Sequence, residues 1–71
     1  MDWIEFQEGL IQEGYERLPI FTVETRRARS LSCPDCSKKV IRPRPFARSK
    51  HNREDYRLFM LCDWCGYYWE V

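Results

Sequence analysis

The sequence lacks any long hydrophobic run and contains a single histidine, His51. Its apolar stretches fall far short of the roughly 20 residues that a membrane-spanning helix needs, so we expect no membrane contact. The sequence also contains neither a Ser-His-Asp set nor a glycine-rich phosphate loop. We therefore expect a binding protein that is not an enzyme and has no small-molecule substrate.

The amino terminus lacks the basic start and the apolar segment of a secretory signal, because its first residues are Met-Asp-Trp-Ile-Glu. We expect a cytoplasmic protein, or a nuclear one in a eukaryote, that is not secreted. In such reducing compartments, cysteine pairs bind metal more often than they form disulfides.

The chain has 71 residues, which suffices for one domain, and we expect a monomer. A domain of this size buries only roughly 60% of the surface that its unfolded chain exposes, so hydrophobic burial alone leaves it marginally stable. Small domains therefore often depend on a metal or on disulfides. The four cysteines of this chain are the candidates for that role.

The cysteines form two pairs with the same spacing, Cys33-Pro-Asp-Cys36 and Cys62-Asp-Trp-Cys65. Two intervening residues allow a tight turn that directs both thiolates at one ion, as in tetrahedral Cys₄ zinc sites. We predict one structural Zn²⁺ bound by Cys33, Cys36, Cys62 and Cys65. Iron in the same cage and two disulfides are the alternatives. Four protein ligands leave no position for water, which favours a structural ion over a catalytic one.

Hydrophobic periodicity predicts a small metal-stabilised α+β fold in three segments. Residues 1–19 form an acidic amphipathic helix, 20–30 a connecting strand and basic linker, and 31–71 a Cys₄ zinc ribbon. The ribbon has two zinc knuckles and three antiparallel strands. These strands fall near 38–42, ended by Pro43 and Pro45, then at 56–61 and 67–71. Alternation within 56–61 places Tyr56, Leu58 and Met60 on one face and Phe59 on the other.

The predicted helix has an apolar stripe that needs cover. Its members are Trp3, Ile4, Leu10, Ile11, Tyr15 and Leu18. Packing on the ribbon sheet is the favoured arrangement, because the aromatic residues near the carboxyl end otherwise have little cover. The alternative is docking into a partner's groove, with Trp3 as the anchor.

Charge is segregated along the chain although the net charge is only +1. Acids dominate the first 25 residues and bases the stretch from Arg26 to Arg57. Six of these bases form a surface that we call the basic hairpin. They are Arg42, Arg44, Arg48, Lys50, Arg53 and Arg57. Arginine suits bidentate contact with phosphate or carboxylate, so nucleic acid and an acidic protein surface are both candidate partners. The third interpretation is that these charges only keep the domain soluble.

Residues 31–71 resemble the zinc ribbons of the TFIIS-type transcript cleavage factors and of the small zinc-ribbon subunits of cellular RNA polymerases. The shared features are the two cysteine pairs, Arg48-Ser49, the acidic pair Glu54-Asp55, and Gly66 and Trp69 after the second pair. The resemblance implies an adaptor or regulator in transcription that binds RNA polymerase or nucleic acid. The alternative is a small protein-binding inhibitor or assembly factor outside transcription.

The same resemblance raises transcript cleavage as a third hypothesis, because an acidic pair in the cleavage factors helps to hold a catalytic metal. Here Glu54-Asp55 lies five residues beyond Arg48-Ser49, its acids are in reversed order, and Arg53 and Arg57 flank it. Those arginines tend to pair with the carboxylates. We therefore expect solvated acids at the start of a strand and no cleavage activity.

Overall fold

The structure, a computed structural model, describes residues 1–48 and 55–71. Within these ranges two helices and four strands follow in the order α1 (Trp3–Gln12), β1 (Glu16–Arg17), α2 (Thr22–Arg29), β2 (Ile41–Ala47), β3 (Arg57–Cys62) and β4 (Tyr68–Glu70). The strands form one antiparallel sheet in sequence order. The small α+β architecture is as predicted, but the sheet has four strands where the sequence predicted three. None of the helices in the described ranges has the length and apolarity needed to span a bilayer.

Strand β2 passes through both prolines, although the prediction ended the strand at Pro43. The amide of Leu18 donates to the carbonyl of Pro45, so the backbone of Pro45 faces the β1 side of the strand. Pro43, two residues earlier, faces the same side, where β1 is too short to pair with it. Neither proline therefore removes a hydrogen bond from the β2–β3 ladder, and the strand is not interrupted.

Strand β3 separates two hydrophobic clusters, one on each face of the sheet. Phe59 lies on the face covered by α1, while Leu58 and Met60 lie on the face covered by α2. The predicted alternation in this strand is confirmed. Because each sheet face has its own helix, Phe46 and Met60 are both fully buried in a chain of this small size.

Helix α1 is shorter than the predicted helix over 1–19. It begins after Asp2, whose carboxylate accepts a hydrogen bond from the Glu5 amide at 2.9 Å. It ends before Gly14, whose φ of 96° lies in the left-handed region that favours glycine. The chain then reverses direction into β1, so the later apolar residues of the predicted stripe lie outside the helix.

The apolar side of α1 packs on the sheet, which is the arrangement favoured from the sequence. The Trp3 ring centroid lies 6.0 Å from that of Phe46, 5.9 Å from that of Phe59 and 5.4 Å from that of Tyr68. Phe6 lies 5.1 Å from Phe59. Tilted and edge-to-face contacts at these distances add to the energy of apolar burial. Trp3, the anchor in the alternative arrangement, is half-buried and packs against the cluster of buried residues on this face.

Helix α2 corrects the prediction of a connecting strand and linker over 20–30. The Glu24 carboxylate accepts a hydrogen bond from the backbone amide of Phe21, which caps the first turn. Ala28 is 2% exposed and packs with Leu58 and Met60. Arginines in the last turn interact favourably with the helix dipole. Packing and capping thus override the β propensity of residues 20–23, which the prediction followed.

Replacing Trp3 tests whether α1 stabilises the domain. We expect Trp3→Ala to lower the free energy of unfolding by about 2–3 kcal/mol, because it removes aromatic contacts to four rings. The matched control is Ile4→Ala on the same helix, where the side chain is 63% exposed and the loss stays within about 0.5 kcal/mol. Denaturant unfolding of the metal-loaded protein measures both. Equal effects of the two substitutions would contradict the packing of α1 on the sheet.

Candidate metal centre

The four cysteines converge at one end of the sheet. Cys33 and Cys36 lie in the segment between α2 and β2, Cys62 ends β3, and Cys65 lies in the turn before β4. Their Sγ atoms all lie within 4.8 Å of one another, so the four side chains form a group that could hold a metal ion. We call this group the Cys₄ cluster.

The sulfur positions match a tetrahedral site. The Sγ atoms of Cys33 and Cys65 are 3.6 Å apart, as are those of Cys36 and Cys62. A tetrahedron with metal–sulfur bonds of about 2.3 Å has sulfur–sulfur edges of about 3.8 Å. A disulfide requires about 2.05 Å, and all four cysteines are free thiols in this structure. The geometry therefore fits one shared ion and not two disulfides.

The two cysteine pairs have the same backbone structure. In the first, the Cys33 amide donates to the Lys38 carbonyl and the Ser37 amide donates to the Cys33 carbonyl, both at 2.8 Å. The same two bonds, at 2.8 and 3.0 Å, recur in the second pair between Cys62, Tyr67 and Gly66. The prediction of two knuckles thus corresponds to a repeated hydrogen-bonding pattern, which gives the backbone of both cysteine turns the same conformation.

Each knuckle requires a left-handed residue directly after its second cysteine. Gly66 has a φ of 82° and Ser37, at the equivalent position, has a φ of 66°. Sequence reasoning identified Gly66 and missed Ser37, although its position after Cys36 could have revealed it. A non-glycine residue in this region costs roughly 1–2 kcal/mol, so Ser37 is a local source of strain in the first knuckle.

Exchanging side chains at these two positions tests the knuckle geometry. We expect Ser37→Gly to stabilise the fold by about 0.5–1 kcal/mol and Gly66→Ala to destabilise it by about 1–2 kcal/mol. A Cβ on Gly66 meets no heavy atom within 4 Å, so the second effect reports backbone conformation alone. Thermal unfolding of the metal-loaded variants measures both. A stabilising Gly66→Ala would contradict the left-handed turn.

Backbone amides stabilise negative charge on the sulfur atoms. The amides of Asp35 and Cys36 donate to Cys33 Sγ at 3.4 and 3.5 Å. In the second knuckle, hydrogen bonds from the amides of Cys65 and Trp64 lower the pKa of Cys62 to about 7. Because metal binding requires thiolates, these amides favour the charged state that a metal ion needs.

Cys65 differs from Cys62 before a metal binds. A hydrogen bond from the Tyr67 amide lowers its pKa, but burial and the thiols of Cys33, Cys62 and Cys36 together raise the pKa to about 12. Four thiolates cannot lie this close without a compensating cation, since like charges disfavour one another. The cluster therefore releases protons when it takes up a divalent ion.

Two arginines of the basic hairpin form ion pairs with acidic side chains in the described part of the chain. Arg42 Nε lies 3.2 Å from a carboxylate oxygen of Asp63. Arg57 donates from Nε and Nη2 to the two carboxylate oxygens of Glu70, at 3.1 and 2.7 Å. Sequence reasoning missed both acidic partners, because each lies in a different strand or turn from its arginine. Lys50, Arg53 and Glu54 lie outside the described residues.

Arg57 is a structural residue. The hydrogen bonds to Glu70 raise its pKa above the ordinary value for arginine, and Arg57 in turn lowers the pKa of Glu70. Its guanidinium carbon also lies 5.0 Å from the ring centroid of Phe59 and 5.6 Å from that of Tyr15. These contacts join β3, β4 and the segment between α1 and β1, so this member of the basic hairpin is occupied within the fold.

Arg44 and Arg48 remain the better candidates for contact with a partner. Arg48 is exposed and its guanidinium lies 4.9 Å from the ring centroid of Tyr15. Burial, and then the charge of Arg42, lower the pKa of half-buried Arg44. Asp55, from the acidic pair, is exposed.

The Arg57–Glu70 pair predicts a pH-dependent contribution to stability. Because folding lowers the pKa of Glu70, the pair stabilises the fold above the pKa of an unfolded glutamate and loses this effect as the pH falls through the lower folded value. We expect Glu70→Gln to cost about 0.5–1 kcal/mol at pH 7, with the difference constant above the pKa of an unfolded glutamate, about 4.3, and shrinking as the pH falls below it. Denaturant unfolding at several pH values measures it. Glu8→Gln on α1 is the control, and a pH-independent difference for Glu70→Gln would contradict the assignment.

No family model, curated protein or solved structure matches this chain. The geometry therefore defines its class: a small α+β protein with a four-stranded antiparallel sheet and a Cys₄ cluster able to hold a metal ion. The resemblance to transcription zinc ribbons stays a prediction from the residues.

Proposed function

We propose that the chain is a zinc-stabilised adaptor or regulator in transcription, which docks on RNA polymerase, on nucleic acid or on both through the basic hairpin. The observation that carries the proposal is the separation of the two ends of the sheet. Ile41 pairs with Cys62 beside the Cys₄ cluster, whereas Phe46 pairs with Arg57 at the other end, about 17 Å away along β2. One end is closed by the candidate ion, and the other presents Arg48 to solvent.

Zinc is the proposed ion because its ligand preference matches the site. Four thiolates at tetrahedral spacing suit zinc, and iron is the other ion commonly held by such a cage. All four positions are filled by protein ligands, which supports a structural role. The bound ion would supply the positive charge that allows four thiolates to lie within 4.8 Å of one another.

Elemental analysis of the protein purified under reducing conditions tests the identity of the ion. We expect one zinc per chain, a colourless protein, and loss of the metal in Cys62→Ser, because Cys62 is a buried ligand. Ser32→Ala is the matched control, since it alters an exposed side chain beside the first knuckle. A red protein with one iron per chain, or full metal retention by Cys62→Ser, would contradict the assignment.

Affinity capture tests the docking role. We expect the zinc-loaded protein to capture RNA polymerase from lysate, and Arg44→Gln/Arg48→Gln to reduce recovery roughly tenfold by removing the two arginines of the basic hairpin that form no ion pair among the described residues. The matched control is Arg26→Gln/Arg27→Gln, which removes two exposed charges from α2. Nuclease treatment distinguishes the partners: recovery that survives it indicates a protein surface, and recovery that it abolishes indicates nucleic acid.

Capture of no polymerase, or equal losses of recovery in the two double variants, would contradict the proposal.

The second candidate, a protein-binding inhibitor or assembly factor outside transcription, is favoured by one observation. Asp63 and Glu70 already occupy Arg42 and Arg57, which reduces the charge available for a phosphate backbone. Capture of a different protein through the same arginines would support this second candidate.

A further inference from the structure

A small cleft with two arginines lies at the edge of the sheet where β1 meets β2. Its volume is about 240 Å³, which accommodates one large apolar side chain. We call it the arginine cleft. Its lining residues are Arg17, Leu18, Ile20, Arg44, Pro45 and Phe46. The cleft therefore combines an apolar floor with two cationic side chains, a combination that the sequence did not reveal because β1 was not predicted.

The two arginines lie on the same face of the sheet. Arg17 pairs with Phe46 in the β1–β2 register, and Arg44 is two residues from Phe46 along β2. Alternation along a strand places residues two positions apart on the same face, so Arg17 and Arg44 are diagonal neighbours. Pro45, which lies on the opposite face of β2 from Arg44, completes the edge of the cleft.

Neither arginine has an anionic partner among residues 1–48 and 55–71. Arg44 donates from Nη1 to the carbonyl of Pro43 at 2.9 Å, which orients its guanidinium and uses only one of its five donors. Asp63 is the nearby acid, but it forms its ion pair with Arg42. Burial is the main cause of the lowered pKa of Arg44; the like charges of Arg42 and Arg17 lower it further, and Asp63 opposes them. The local field therefore favours an added anion.

We propose that the arginine cleft binds an acidic peptide segment of a partner protein, with one apolar side chain in the cleft and flanking carboxylates on Arg17 and Arg44. Arginine forks suit bidentate carboxylate contact. This inference rests on the proposed docking role, since Arg44 belongs to the basic hairpin as well, and it names the chemistry of the partner.

The lining favours a peptide over nucleic acid. Leu18 and Ile20 present apolar surface, and Ile20 is 48% exposed. A phosphodiester backbone would pair with the arginines but leave this apolar surface exposed. A peptide with an apolar side chain beside a carboxylate would cover the apolar surface and also pair with the arginines. Phe46, the aromatic ring of the cleft, is fully buried and so offers no face on which a base can stack.

Amide NMR titration of the zinc-loaded full chain tests the proposal. The probe is a pentapeptide of four glutamates around a central leucine, compared with its glutamine counterpart, a serine-centred counterpart and a 12-nucleotide oligothymidylate. We expect shifts at the cleft residues with the leucine-centred acidic peptide, and binding roughly tenfold weaker in Arg17→Gln and in Arg44→Gln. The unshifted remainder of each spectrum shows that the variant is folded.

Two further variants separate specific contact from general charge. Arg26→Gln removes an exposed charge on α2 and should leave peptide affinity within about twofold. Ile20→Ser should weaken the leucine-centred peptide and leave the serine-centred one unchanged. Equal losses of peptide affinity in Arg26→Gln and Arg44→Gln would overturn the proposal. It would also be overturned if the oligonucleotide bound the cleft more tightly than the peptide, or if the chain self-associated and Arg44→Gln abolished that self-association.

The proposal and the docking role can fail separately. Peptide binding at the cleft without capture of polymerase would contradict the transcription role and leave the cleft assignment standing. Capture that depends on Arg48 and is unchanged in Arg17→Gln, with no peptide binding, would overturn the cleft assignment and leave the docking role standing.

Discussion

The convergence of four sulfur atoms is the constraint on which the rest of the structure depends. Cys33 and Cys36 lie between α2 and β2, whereas Cys62 ends β3 and Cys65 lies in the turn before β4. Both sheet faces have thin hydrophobic clusters, so a 71-residue chain gains limited stability from burial alone. An ion shared by the two knuckles would fix the end of the sheet at which β2 begins and β3 ends, and with it the β2–β3 register. That register sets which residues face each helix.

The opposite end of the sheet is held by aromatic and ionic contacts instead. Arg57 bridges to Glu70 and its guanidinium packs on the rings of Phe59 and Tyr15. These contacts use an arginine that the sequence assigned to a partner surface. Part of the basic hairpin thus stabilises the fold. The side chains that remain for binding, such as Arg44 and Arg48, have no ion pair in the described part of the chain.

The sequence predicted best those features that depend on local spacing. Two cysteines with two residues between them imply a knuckle, and the alternation around Phe59 assigned both faces of β3 correctly. The prediction from sequence was wrong where contacts between residues distant in sequence determine the secondary structure. Helix α2 forms because Ala28 packs on the sheet and Glu24 caps the first turn, whereas the strand prediction rested on four β-prone residues.

Two other misses have the same origin. Strand β1 has only two residues and exists because β2 offers an edge, so no periodic pattern marks it. The ion pairs of Arg42 and Arg57 join residues far apart in sequence, and spacing alone cannot reveal such partners. Spacing alone likewise could not predict the cleft beside β1.

The most direct test of this account is a titration of Zn²⁺ into the metal-free, reduced chain at neutral pH, followed by tryptophan fluorescence and amide NMR. We expect dispersed signals from β2, β3 and β4 to appear in proportion to added zinc, to stop changing at one equivalent, and to be lost again with a chelator. A native spectrum without metal that zinc leaves unchanged would contradict the claim that the Cys₄ cluster closes the fold.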